Sequence, residues 1–201
     1  MEAARDWIGG IAGFATVGSL IVSLSMSWRV WRARDSSGVA FLPIAAENIR
    51  LLAFLLYGIA SGDSYVTWVN VCGLAITFTN ATVHCAFSDD SGPGLSLLAA
   101  LVVMCIALSM MTVDWLGYLA SAWAVACNLS PIARILRMIP LPEIAACTLT
   151  TCGLWTAYAV LAGKSALVVN YMVGTLVAAV ELTMAMLMWC RHSAYLPVQT
   201  V

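Results

Sequence analysis

Charge is what this chain has least of. Acidic and basic residues make up 9% of its 201 positions and apolar residues 62%, against roughly a quarter and a half in water-soluble domains. So few charges cannot clothe a surface that faces water, which excludes a soluble globular protein, and with nine basic residues against ten acidic ones no nucleic-acid partner is expected. Lysine occurs once, at Lys164, in a loop between apolar runs, so the in-helix lysine that retinal binding requires is missing. No Cys-x-x-Cys occurs. The seven cysteines (Cys72, Cys85, Cys105, Cys127, Cys147, Cys152, Cys190) lie within or at the ends of apolar runs, with no Cys/His group at metal spacing. They are read as small, reduced core residues, and no metal or other cofactor is expected. Without a nucleophile-base pair or a phosphate loop, an enzyme is not expected either. The opening MEAARD carries no basic segment ahead of an apolar run that is already long enough to span, so a cleaved signal peptide is not expected.

What remains is apolar sequence in long runs. A bilayer offers backbone groups no water, so spanning segments are helices or closed barrels, and runs without strict alternation select helices. The polar breaks delimit seven expected spans at about 7–28, 41–60, 65–87, 95–113, 115–138, 142–162 and 166–190, each near the roughly 17–25 residues a bilayer demands. The chain also contains an approximate copy of itself. FLPIAAENIRLLAFLLYGIASGDSYVTWVNVCG, from Phe41 to Gly73, reappears as LPEIAACTLTTCGLWTAYAVLAGKSALVVNYMVG, from Leu141 to Gly174. Pro43 answers to Pro142, Tyr57 to Tyr158, Asn70 to Asn170 and Gly73 to Gly174. In each copy a helix opens at the proline, closes at the tyrosine (Tyr57 and Gly58 in the first) and turns over a short link into a second apolar helix.

The span at 95–113 has no counterpart in the duplicate. Three spans reverse the chain direction, so one extra crossing is needed before a second triplet can run parallel to the first. The expected architecture is therefore an all-α membrane protein with seven transmembrane helices arranged 3+1+3, two parallel three-helix bundle repeats flanking a linker helix. The expected boundaries are 1–88, 89–113 and 114–192, with a short cytosolic tail at 193–201. Parallel repeats related by an axis along the membrane normal place a pathway between them near the midplane. Trp28 to Arg34, WRVWRAR, combines aromatic anchors with three arginines and marks a cytosolic interface. With the N-terminus outside or lumenal, Arg134, Arg137 and Arg191 fall on the same cytosolic side, as does the C-terminus.

RDSSGVAFLP before and into the second span, Tyr57-Gly58 at its close, GDSYVTWVNVCG into the third and NLSPIARILRMI in the fifth resemble the SWEET sugar transporters, in particular their animal members. The resemblance covers nearly the whole chain. It implies a bidirectional facilitative uniporter that passes a small sugar by alternating access. It also implies a substrate asparagine in each half, here Asn70 and Asn170, since a buried amide must find partners and a sugar hydroxyl both donates and accepts. Phe54 and Trp155, three residues before each tyrosine, match the family's aromatic platforms, at which tryptophan is usual in both halves. Thr151 matches a small hydroxyl position beside the substrate, and its first-half counterpart is Arg50. An arginine within a span must be paired or face water, and Glu47, three residues earlier, is its expected partner.

For gating, the resemblance points to hinge prolines at Pro43, Pro131 and Pro142, with Ser23 or Met26 where the first span would carry a fourth. It also points to an outer gate at Tyr57, with Asp63 in the adjoining link. Glu181 and Asn80 occupy equivalent positions seven residues after the two glycines, and His84 is read as interfacial. The basic loop that the family carries before its sixth span is reduced to Met138-Ile-Pro-Leu141. Other readings stay open: a divergent paralogue that has lost sugar transport and serves in trafficking or assembly, or a PQ-loop-like carrier of another solute, although no Pro-Gln dipeptide occurs. The plasma membrane or Golgi is the expected location. Small-residue patches such as Gly9, Gly10 and Gly13 suit helix packing within a chain or between copies, leaving a homo-oligomer open.

Overall fold

The computed structural model describes residues 2–90, 92–129, 132 and 142–194, with side chains up to residue 188. Among these residues there are seven helices and no strand: α1 Glu2–Ala33, α2 Phe41–Ala60, α3 Ser64–Ala86, α4 Gly92–Ser109, α5 Val113–Asn128, α6 Pro142–Leu161 and α7 Ser165–Ala194. All but α5 are long and apolar enough to cross a membrane; the expected span at 115–138 continues beyond Asn128 outside the described residues. Many large apolar side chains point outward, among them Phe14, Leu95, Val103 and Leu176. This surface is solvated by lipid tails.

Two helices outrun their expected spans. α1 covers 32 residues, about 48 Å at 1.5 Å per residue, because nothing in WRVWRA breaks a helix even though the apolar run has ended. It stops where Arg34 adopts a positive φ of 57° and lays its guanidinium 5.0 Å from the centroid of the Phe87 ring. α7 likewise continues to Ala194.

The chain divides into two compact units, residues 1–124 and 125–201. In the first, α3 packs against both α1 and α2, while α4 rests on α2 and α3. The α1–α3 seam is closed by polar side chains: Ser27 Oγ donates to Asn80 Oδ1, and Asn80 Nδ2 donates to Ser23 Oγ at 2.8 Å. Across the α2–α3 seam, Asn48 Nδ2 donates to the Thr77 carbonyl at 3.2 Å and Thr77 Oγ1 donates to Asn48 Oδ1 at 3.2 Å. At one end Ile44, Ala81 and Leu97 form an apolar plug joining α2, α3 and α4. There the α1–α2 link is tied down by Ser36, whose N–H donates to the Phe87 carbonyl. Bonds from the backbone N–H and hydroxyl of Ser37 hold the Asp35 carboxyl below the ordinary aspartate range. In the second unit the main described contact is α6 on α7.

The two helix–helix links show the duplication atom by atom. After α2, the Gly62 N–H donates to Ile59 and the Asp63 N–H to Gly58, with Gly62 at φ +66°. After α6, the Gly163 N–H donates to Val160 and the Lys164 N–H to Ala159, with Gly163 at φ +67°. Both are Schellman closures, in which a left-handed glycine lets two orphan carbonyls be satisfied. α2 therefore ends at Ala60 rather than at Tyr57-Gly58 as the sequence suggests, and Gly62 is the residue that ends it.

Asp63 then starts the next helix, with Oδ1 accepting from the Val66 N–H at 3.1 Å. Its counterpart Lys164 cannot cap in this way. Replacing Asp63 with Ala should therefore cost about 1 kcal/mol, read as a fall of about 2–4 °C in the unfolding midpoint of the purified protein.

Candidate functional site

In the first unit, the buried stripe of α3 runs through Val66, Asn70, Gly73, Thr77, Asn80 and His84, a 3-4 spacing that keeps one face turned inward. Asn70 is 6% exposed, and its Nδ2 donates to the carbonyl of Val66 in its own helix at 2.6 Å. Among the described residues its amide makes no bond to another helix. At Gly73 the neighbours close in, since a Cβ there would sit 2.9 Å from Leu20 of α1 and 3.0 Å from Leu51 of α2.

On α2, Phe54 is 1% exposed. Tyr57 is also buried, its ring so close over α5 that a Cβ on Gly117 would lie 2.8 Å from it. Arg50 and Glu47 form the expected pair, with Nε on Oε2 at 2.9 Å and Nη2 on Oε1 at 2.5 Å. Pro43 is exposed in the first turn of α2, where its missing N–H breaks no helical bond. It lines a hollow of about 460 Å³ together with Met26, Arg29, Asp35 and Ile44.

In the second unit, the matching stripe on α7 buries Leu167, Asn170, Gly174, Ala178, Glu181 and Ala185. The amide and glycine are four residues apart here and three apart in α3, and both spacings return to the same face of a helix. Asn170 is 1% exposed, and its Oδ1 accepts from Asn128 Nδ2 of α5 at 3.0 Å. Among the described residues its own Nδ2 has no hydrogen-bond partner. A buried amide N–H₂ left in that condition costs about 1–3 kcal/mol, so it is a donor in want of an acceptor.

Trp155 is 2% exposed, stacked on Tyr171 with ring centroids 5.6 Å apart and edge-on to Tyr158 at 5.4 Å. Thr151, one turn away, is half-buried. Pro142 is exposed as the first residue of α6, and Pro131 lies outside the described residues. Glu181 is 1% exposed within the α7 stripe.

Neither Asn128 nor Tyr171 is singled out by the sequence pattern. The extra residue between Asn170 and Gly174 was the available signal for Tyr171. His84 is buried rather than interfacial: its Nε2 donates to the Val39 carbonyl at 2.8 Å and its ring lies 5.1 Å from Phe41, so the α1–α2 link covers it. Of the six cysteines with described side chains only Cys152 is buried; Cys105 and Cys147 are exposed, and Cys72, Cys85 and Cys127 are half-buried, so most lie outside the core in which they are expected. No group of three or more potential metal ligands occurs among the described residues. Each unit by itself carries a buried asparagine and buried aromatic rings, groups whose chemistry is hydrogen bonding and stacking.

Residues 6–91 match the family model described as "Sugar efflux transporter for intercellular exchange". A Danio rerio protein, Sugar transporter SWEET1, is 22% identical over 160 residues, covering 71% of this chain and 73% of that protein. The solved structure of a eukaryotic SWEET transporter superposes with a TM-score of 0.80 at 15% identity, over 93% of this chain and 99% of that one. That likeness gives the fold.

Proposed function

We propose that the chain is a member of the SWEET family and a facilitative carrier of a small sugar, a uniporter working by alternating access in either direction; the family-model match over residues 6–91 and the likeness to SWEET1 support this reading. That family is one of transporters, which supports a carrier rather than an enzyme. The observation that carries the reading is the duplicated amide, a buried asparagine on the third helix of each half, one of them with its donor unspent. Asn70 and Asn170 bind the sugar hydroxyls. Trp155 and Phe54 present apolar ring faces to its C–H face, and Thr151 and Arg50 line the same path. Pro43, Pro131 and Pro142 act as hinges, and Tyr57 with Asp63 forms the outer closure. The arginine-rich end of α1 supports a cytosolic placement for that end, hence an outside or lumenal N-terminus and a cytosolic C-terminus, in the plasma membrane or Golgi. Small glycine patches such as Gly9-Gly10 support association into a homo-oligomer.

The test is uptake of radiolabelled glucose into proteoliposomes holding the purified full chain. Saturable uptake, accelerated by unlabelled glucose inside the vesicles, is the expected result. Absence of flux or exchange with any neutral sugar would turn the assignment toward a paralogue that has given up transport.

A further inference from the structure

Within the first unit α2 has its sides taken up unequally. Asn48, Leu51 and Gly58 meet α3, and Ala45 and Ile49 pack into the plug with Leu97 and Leu101 of α4. Leu52 and Leu55 line an apolar groove with α3 and α4. The remaining arc holds Ala46, Glu47, Arg50, Phe54 and Tyr57, which return to one side of the helix at 3-4 spacing. α5 reaches this arc at its two ends: Trp123 Nε1 donates to the Ala46 carbonyl at 3.2 Å, and Gly117 lies under Tyr57.

Glu47 and Arg50 are the only charged residues between Phe41 and Ala60, and they lie on the side turned away from α4 and the apolar groove. Both carboxylate oxygens of Glu47 accept from the guanidinium, a two-point fork that fixes the plane of Arg50 and cancels its charge. The pair is not sealed off: the Arg50 side chain is 19% exposed and that of Glu47 29%.

We propose that Glu47 sets solute selectivity by occupying the fork of Arg50, so that this stretch of the path accepts uncharged polyhydroxy solutes and refuses anionic ones. The inference rests on the sugar-carrier reading above. A guanidinium without Glu47 would offer a carboxylate or phosphate the two-point contact that it now makes internally. With Glu47 in place, an incoming carboxylate must displace a tethered one and meets a like charge beside it. A hydroxyl carries no such penalty. Glu47 is thus a positioning residue acting through Arg50.

The experiment is uptake of labelled glucose and labelled glucuronate by the full chain in proteoliposomes. Glu47→Gln should raise the glucuronate-to-glucose ratio about tenfold or more, as expected for an unmasked unit charge a few ångströms from the solute. Glu47→Asp should return most of the original preference, and Glu47→Gln combined with Arg50→Gln should remove the gain. A purely structural ion pair would alter the yield or thermal midpoint of these variants and leave the ratio where it was. Should Glu47→Gln not fold, Arg50→Gln with Glu47 retained runs the test in reverse, and the ratio must then fall. An unchanged ratio in folded Glu47→Gln, or an equal rise in the double variant, overturns the inference alone. Wild-type vesicles that take up no glucose overturn the carrier reading and carry the inference down with it.

Discussion

Asn70→Ala should lose about nine-tenths of glucose uptake while keeping its thermal midpoint within about 2 °C, whereas Asn170→Ala should lose both activity and stability. The difference follows from where each amide spends its hydrogen bonds. Asn70 donates to Val66 in its own helix, and among the described residues it makes no bond to a neighbouring helix. Its removal takes away a partner for a sugar hydroxyl, a net loss of about 1.4 kcal/mol and hence about tenfold in rate, but no bond between helices. Asn170 accepts from Asn128 across the α5–α7 seam. Alanine there leaves the Asn128 N–H₂ only its long 3.4 Å bond to the Asn170 carbonyl and costs about 1 kcal/mol, visible as a lowered midpoint beside the transport defect. Asn128→Ala is the control that breaks the same bond while leaving Asn170 in place. Uptake and thermal unfolding measured on one preparation decide the matter. If Asn70→Ala transported normally, the first-half amide would have no place in substrate binding, and a destabilised Asn70→Ala would make it a structural residue instead.

Composition and repeat carried the reading of the architecture a long way, because a bilayer permits so few solutions. With 62% apolar residues in uninterrupted runs, helix was the only element that could satisfy the backbone, and polar links had to mark its ends. The duplicated links could be aligned from Gly62 and Gly163 because a left-handed closure needs glycine at one fixed place. Lateral contacts were far less legible. Nothing local in NLS tells that Asn128 will meet Asn170, forty-two residues away. Nor does Cys-Ala-Phe tell that His84 will be covered by a link whose carbonyl at Val39 it bonds. α1 outruns its expected span for a simpler reason: hydropathy ends at the interface, whereas helical hydrogen bonding continues until a residue leaves the helical region, as Arg34 does. Glu47 and Arg50 lie at the readable extreme, since charges three apart on an apolar helix have little else to pair with.

Gly58→Val should destabilise the first unit by about 3 kcal/mol, a fall of about 6–12 °C in the unfolding midpoint, and remove most transport with it. In sequence this glycine reads as a helix terminator. In the structure it is helical and marks the place where α3 starts against α2: a Cβ on it would stand 2.8 Å from Thr67 Oγ1, 2.9 Å from the Thr67 backbone nitrogen and 3.2 Å from its Cα. The hydroxyl has little freedom to retreat, because it donates to the Asp63 carbonyl at 2.7 Å. The nitrogen has less, being engaged with the same carbonyl at 2.9 Å. Relief requires α2 and α3 to separate, which also shifts the adjoining Tyr57 from its seat over Gly117. Gly58→Ala should show a smaller defect of the same kind, and adding Thr67→Ala should recover it only in part, since the backbone contact remains. Gly18→Val, where a side chain would meet nothing within 4 Å, should be close to silent by both measurements. A silent Gly58→Val beside it would mean that α2 and α3 are not held as closely as this seam requires, and the shape assigned to the first half would have to be redrawn from there.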